Sequence, residues 1–303
     1  MTTYDFRTVD VFAEAQFGGN PLAVFYRAEG LDDARMAALA REFNYSEITF
    51  VLPPSDPSNT ARVRIFLPTA EIPFAGHPNV GTAFVLAQLA EERGERPNRF
   101  VFEELAGLVP IDLLRNANGT LAGAELSAPQ PLSIGETIDP AIIAACIGLQ
   151  TDQIAMDRHP PLIASVGTSL GFAELRDVDA LRRAKPDHTA FAKAAERYKT
   201  GSVPLFLHLH VRDGDVLRTR MFAPLNGVIE DPATGAANVT LAALLTSLPG
   251  VADGTHAYDI LQGVEMGRPS RLHATATREG GKIVRATVGG QCVPVLTGAY
   301  HAP

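Results

Sequence analysis

The sequence predicts an α+β protein made of two pseudo-symmetric, strand-rich domains, each with one buried helix. Three observations predict this: an internal repeat about half a chain apart, period-two alternation that far outweighs helical periodicity, and a Ser- and Pro-rich segment near the middle. At 303 residues, of which 46 % are hydrophobic, the chain can bury two cores, since one core rarely serves so long a chain.

In the first half, alternation and β-branched content mark strands near 5–12, 20–26, 46–53, 60–67, 98–104 and 107–115. Helical periodicity there is confined to Leu31–Phe43, opened by Asp32 and Asp33, and to the apolar run from about His77 to Leu89. Segment 127–137, SAPQPLSIGET, reads as a connector and separates a first domain, 1–126, from a second, 127–287. Beyond it, helical patterns fall near 138–148 and 188–198, with strands near 161–176, 203–211 and 216–223. A buried helix over about Thr234–Leu245 follows, then more strands to about 298, the last of which (about 288–303) is expected to complete the first domain.

The repeat is specific. Arg62-Val63-Arg64-Ile65-Phe66-Leu67-Pro68 and Arg218-Thr219-Arg220-Met221-Phe222-Ala223-Pro224 share R-x-R-x-F-x-P. Soon after each comes x-P-x-x-G-x-A, as His77-Pro78-Asn79-Val80-Gly81-Thr82-Ala83 and Asp231-Pro232-Ala233-Thr234-Gly235-Ala236-Ala237. That alignment places His77 and Asp231 at the same relative position. A strand, a turn and an all-apolar helix occurring once per half indicate domain duplication, with each helix in a core rather than at a surface. A Pro in the first turn and small residues after it leave backbone N–H groups open to an anion.

Composition removes several function classes. A net charge of −8 and a pI near 5.5 provide no positive field for a nucleic-acid backbone, although a local pocket can still bind a small anion. Cys146 and Cys292 are the only cysteines and form neither a disulfide framework nor a CxxC metal motif, which fits a reducing cytoplasm. The amino-terminal MTTYDFRTVDVF reads as a strand rather than a signal peptide, and no apolar stretch is long enough for a membrane span. His208 and His210 flank Leu209 on one face of a predicted strand, either half a metal site or a pair at the surface or between domains. Gly18-Gly19 and Gly289-Gly290 read as turn or bulge residues.

Several segments together resemble the phenazine-biosynthesis isomerase-like (PhzF-like) family: FGGNPLAVF (Phe17–Phe25), FNYSEITFV (Phe43–Val51), RIFLPTAEIPFAGHPNVGTA (Arg64–Ala83), EDPATGAAN (Glu230–Asn238), QGVEMGRPS (Gln262–Ser270) and VGGQCVPV (Val288–Val295). The resemblance runs nearly end to end. It implies the diaminopimelate epimerase-like fold, in which each of two domains is a mixed, mostly antiparallel, barrel-like sheet around a central helix. It further implies a cofactor-independent, metal-free isomerase, active as a homodimer in the cytoplasm. Such an enzyme moves a proton on a small carboxylate-bearing metabolite in the interdomain cleft.

Related epimerases and proline racemases use a cysteine at the start of each central helix, and this chain has none there, so the resemblance carries the proton transfer onto Glu47. It makes His77 and Asp231 catalytic partners that hydrogen-bond the substrate, and Asn20, Ser46, Gly76, Gly235 and Ala236 substrate-binding positions. Glu47 stands at the mouth of an apolar strand, where burial is expected to raise its pKa from about 4.3 towards neutrality. The phenazine enzyme's motif ends TGSA, whereas here Ala236 lacks that hydroxyl, which makes a dihydro-hydroxyanthranilate substrate less secure than the chemistry. Two other activities remain open: an amino-acid or hydroxy-acid racemase or epimerase, and a non-catalytic binder of small aromatic acids.

Overall fold

The computed structural model describes residues 2–200 and 204–302, so the first residue of the strand expected from 203, and residues 1 and 303 of the expected first domain, lie outside the described residues. The chain divides into two compact units, Met1–Ser127 with Gly289–Pro303, and Ala128–Val288.

In the first unit the strands Thr2–Val11, Asn20–Phe25, Glu47–Leu52, Ala61–Phe66, Arg99–Glu104, Gly107–Arg115 and Leu121–Ser127 pair in that order. The end of the long strand Lys282–Ala302 pairs with both the first and the last of them, so the eight strands close on themselves. Two of these ladders, Asn20–Phe25 with Glu47–Leu52 and Ala61–Phe66 with Arg99–Glu104, are parallel, and the others given in register are antiparallel. The helix Gly76–Glu92 lies against strands on several sides and buries every residue from Gly76 to Val85. An all-round apolar surface is what such a position demands. At Gly81 an added Cβ would come within 2.6 Å of Leu22 and 2.7 Å of Val11, so only glycine lets the helix approach so closely.

The second unit repeats the scheme. Ser133–Thr137, Leu162–Ser165, Leu170–Glu174, Leu207–Asp213, Val216–Ala223, Gly254–Gln262 and Ser270–Glu279 pair in sequence order, with parallel ladders at the same two places. Its central helix, Gly235–Ser247, is buried continuously from Ala237 to Thr246. The expected α+β architecture of like, mostly antiparallel sheets around central helices is therefore observed.

The R-x-R-x-F-x-P repeat has a physical cause. Arg64 holds Glu71 through Nε and Nη2 at 2.7 and 2.6 Å and lies over the Phe66 ring at 5.1 Å. Arg220 holds Glu230 through the same atoms at 2.8 Å each and lies over Phe222 at 4.7 Å. Each arginine thus clamps the short strand that follows, Glu71–Ile72 or Val228–Asp231, to its own strand by a bidentate ion pair and a cation–π contact. Buried Arg220 also donates to the carbonyls of Leu181 and Ala184, both at 2.8 Å, at the end of the helix Val178–Arg183.

Several expectations need correction. The supposed connector contains a strand, Ser133–Thr137, whose residues are all exposed: pairing with Leu162–Ser165 orders it without burial, so it leaves no apolar signal. The single strand expected over 161–176 is a hairpin, Leu162–Ser165 and Leu170–Glu174. Leu121–Ser127 and the helix Val178–Arg183 leave no clear mark in the sequence, because short elements carry little periodicity. The second shared motif is aligned wrongly. Structurally Gly76 matches Gly235 and Asn79 matches Asn238, since each Asn donates from Nδ2 at 3.0 Å to the carbonyl four residues before it, at Ala75 and Thr234. His77 therefore corresponds to Ala236, not Asp231. Pro232 stands before its helix, while Pro78 lies in the first turn of the other. No helix among the described residues is long and apolar enough to cross a membrane.

Candidate active site

The four outer α-helices among the described residues all begin with an aspartate cap: Asp32, Asp139, Asp177 and Asp187 accept from the N–H of Arg35, Ala141, Ala180 and Ala190 at 2.7–2.8 Å. The two central helices start at Ala75 and Thr234 with no side-chain cap. Their first-turn N–H groups, at Gly76 and His77 and at Gly235, Ala236 and Ala237, keep their positive dipole ends available to an outside acceptor.

In the first unit, the parallel crossover from Asn20–Phe25 to Glu47–Leu52 runs through the helix Asp33–Phe43. Asn44 ends that helix in the left-handed region (φ 51°), and the chain re-enters the sheet at Glu47. Glu47 therefore sits at a strand mouth with its side chain 16 % exposed, and its Oε2 lies 3.5 Å from Nδ1 of His77 on the central helix. Ser46 donates to Oδ1 of buried Asn20 at 3.0 Å. Five of the expected residues, Asn20, Ser46, Glu47, Gly76 and His77, thus lie at one end of this unit.

His77 is uncharged at neutral pH: burial lowers its pKa to about 3, against a weaker opposing contact with the Pro21 carbonyl. Its contact with Glu47 is that of a neutral ring with a carboxyl group, not an ion pair. Unfolded, the ring takes a proton near 6.5; folded, it resists to about 3. Between those values the unfolded chain binds the extra proton, so stability present above about 6.5 is lost as pH falls towards 3. Denaturant midpoints at pH 7 and pH 4.5 are expected to show this as a loss of roughly 2–3 kcal/mol that His77→Gln removes.

In the second unit, Asp231 ends the strand Val228–Asp231, and its Oδ2 accepts from the Thr234 hydroxyl at 2.5 Å. Gln262, fully buried, organises this helix start. It donates to the Asp231 carbonyl at 2.8 Å and to Thr234 Oγ1 at 3.0 Å, and accepts from Thr234 N–H at 3.2 Å and Asn238 Nδ2 at 2.7 Å. Gly235 and Ala236 follow in the first turn. The sequence carries no sign of this role, since a glutamine at a strand end has no local signature. Gln262→Leu strands several buried polar groups at about 1–3 kcal/mol each. It is expected to lower the denaturant midpoint and to raise KM more than it lowers kcat.

Glu104 is the other residue the sequence did not signal. Burial raises its pKa to about 8, with a smaller opposing effect from Asn79. His208 and His210 are fully buried and so are not a surface pair; His208 Nε2 meets Asn238 Oδ1 at 3.0 Å. Cys146 and Cys292 are both buried and lie off the central helices. Burial, then the charge of Asp187, raises the Cys146 thiol to about 12, and burial likewise raises Cys292. Two-thiol racemisation has no nucleophiles here.

Comparison with known proteins decides the family. The phenazine biosynthesis-like protein family matches residues 9–298. The chain belongs to that family. A trans-2,3-dihydro-3-hydroxyanthranilate isomerase of Pseudomonas aeruginosa is 37 % identical over 93 % of this chain and 94 % of its own length. An uncharacterised isomerase of Mesorhizobium japonicum is 37 % identical over 98 % and 99 %. Among solved structures, a phenazine biosynthesis protein of Bacillus anthracis superposes with a TM-score of 0.86 at 24 % identity, covering 100 % of both chains. A hydroxyproline epimerase of Agrobacterium vitis shares the fold at a TM-score of 0.64 and 14 % identity, covering 99 % of this chain and 91 % of its own. As a phenazine biosynthesis-like protein with isomerases as its relatives, the chain is an enzyme, an isomerase.

Proposed function

We propose that this isomerase shifts a proton on a small, carboxylate-bearing metabolite, with Glu47 as the acid/base and without a cofactor. The observation that carries the reading is Glu47 at 3.5 Å from a neutral imidazole, beside the uncapped start of a buried helix. The side chain of Glu47 is mostly buried at the mouth of an apolar strand and faces an imidazole that is itself uncharged, and a carboxyl group so placed suits both taking and returning a proton. The uncapped N–H groups of Gly76 and His77 suit a substrate carboxylate, and Gly235 and Ala236 offer the same chemistry in the second unit. Asp231, fixed by Thr234 and Gln262, supplies a hydrogen-bond acceptor for a substrate amino or hydroxyl group.

The chemistry proposed is one base serving two carbons on the same face of the substrate. Glu47 removes a proton from one carbon and delivers it to another, so no net oxidation occurs. The named relative's substrate, trans-2,3-dihydro-3-hydroxyanthranilate, is the first compound to assay, together with cyclic amino acids. Ala236 gives no hydroxyl at its helix start, so a substrate that differs from that one at the group near Ala236 is favoured.

The test is hydrogen exchange in D2O. Deuterium is expected at carbon in the product, with the double-bond position changed and no inversion of a stereocentre. Exchange with inversion would make the enzyme a racemase or epimerase, and binding without exchange would make it a binder of small acids; either result overturns the reading.

A further inference from the structure

We infer that the second unit carries a binding site for a zinc-class divalent cation, formed by His159, Glu174 and His210. The three ligand atoms lie within 4.8 Å of one another and all three residues are buried. Glu174 and His210 are direct partners across the parallel ladder between Leu170–Glu174 and Leu207–Asp213, so their side chains leave the same face of the sheet. His159 is brought to that face by the segment between Ile154 and Leu162. That segment is pinned on one side by Ala155 N–H donating to the Glu174 carbonyl at 2.9 Å, and on the other by Ile138 N–H donating to the Pro161 carbonyl at 2.8 Å.

The geometry matches coordination chemistry. Nε2 of His159 and Nε2 of His210 are 3.3 Å apart, with the rings nearly parallel at 20°. Metal–nitrogen bonds of about 2.0–2.1 Å put two imidazole nitrogens on adjacent tetrahedral corners about 3.3 Å apart. Nδ1 of His159 is 2.8 Å from the Pro160 carbonyl oxygen. A carbonyl only accepts, so the ring proton sits on Nδ1 and the Nε2 lone pair points at the cluster. Backbone-carbonyl support of this kind is the usual outer contact of a histidine ligand.

The third ligand needs a small adjustment. Oε2 of Glu174 is 4.0 Å from His210 Nε2, so the carboxylate must move inward by roughly an ångström to complete three corners. Arg158 holds the same carboxylate through Nε, at 3.0 and 2.9 Å, and through Nη2. Its side chain is a third exposed, so the guanidinium can turn towards solvent as the carboxylate moves to a cation. Two imidazoles and a carboxylate, with no thiolate, select zinc-class dications over soft monovalent copper, and a water would take the fourth corner. His208, two residues from His210, is not part of the cluster because Asn238 takes its Nε2.

The experiment uses the full chain, stripped with chelator and dialysed, then titrated with Zn2+ by calorimetry and with Co2+ by visible absorption. One ion per chain is expected, with the intense visible bands of four-coordinate Co2+, lost when Zn2+ displaces it. His159→Ala and His210→Gln are each expected to weaken Zn2+ binding at least about tenfold. His273→Ala, which removes an exposed histidine paired with Asp259 at 2.5 Å, is expected to leave binding unchanged. Absence of four-coordinate Co2+ bands in the wild-type chain overturns the inference without recourse to any variant. So does Zn2+ binding that survives both cluster substitutions or disappears with His273→Ala.

Discussion

Glu47→Gln is expected to lower turnover by roughly 10²–10⁴-fold and to stop deuterium incorporation at carbon, while the melting temperature changes little. Glutamine keeps the size and a hydrogen-bonding head but cannot exchange a proton with carbon. The substitution is mild for folding because of its neighbour. Burial keeps His77 neutral, so removal of the carboxylate leaves no imidazolium without compensation at that contact. Glu47 also begins its strand rather than filling the core, and the apolar residues that anchor the strand, Ile48 and Phe50, are untouched. A variant that retains full turnover would show that another group moves the proton. A variant that unfolds would make Glu47 a structural residue.

Phe25→Ala has the largest expected effect on stability, about 3–5 kcal/mol, as is usual when a fully buried ring is cut back and its cavity cannot close. Phe25 is wholly buried and meets Phe6, Phe43 and Phe50 at ring-centre distances of 5.3, 5.8 and 5.2 Å. Phe43 is the last residue of the helix Asp33–Phe43, and Phe50 lies on the strand that Glu47 begins. The cluster thus fastens both ends of the crossover that sets Glu47 in place. Denaturant unfolding should show a lower midpoint with an unchanged slope. A loss below about 1 kcal/mol would mean that the neighbouring rings refill the space.

Much of this architecture is visible in one dimension. Ala61–Phe66 shows the period of the pleat, with Arg62 and Arg64 the less buried positions between Ala61, Val63 and Ile65, while Glu47–Leu52, buried from Ile48 onward, is legible by its apolar and β-branched content. The all-apolar runs at 77–89 and 234–245 can be read because a helix surrounded by sheet has no polar face to display. Asp32 and Asp33 mark a helix start in the sequence because acidic residues suit its positive end, and the structure makes Asp32 the cap, accepting from the Arg35 N–H. Ser133–Thr137 shows the opposite case: it is held by pairing alone, and its exposed residues could equally belong to a loop.

The sequence by itself therefore determined the duplication, the buried helices and the lack of cysteines at their starts, since each is a property of residue type and short-range period. Only the tertiary structure decided the register of the two helix starts, matching Asn79 with Asn238 where the Pro and Gly spacing suggested another alignment. It alone brought His77 to Glu47, Gln262 to Asp231, and His159 to Glu174 and His210. These pairs are separated by 15 to 51 residues along the chain, where hydrophobic periodicity carries no information. What joins them is ladder register and the path of the intervening segment, and both are settled only when the sheets form.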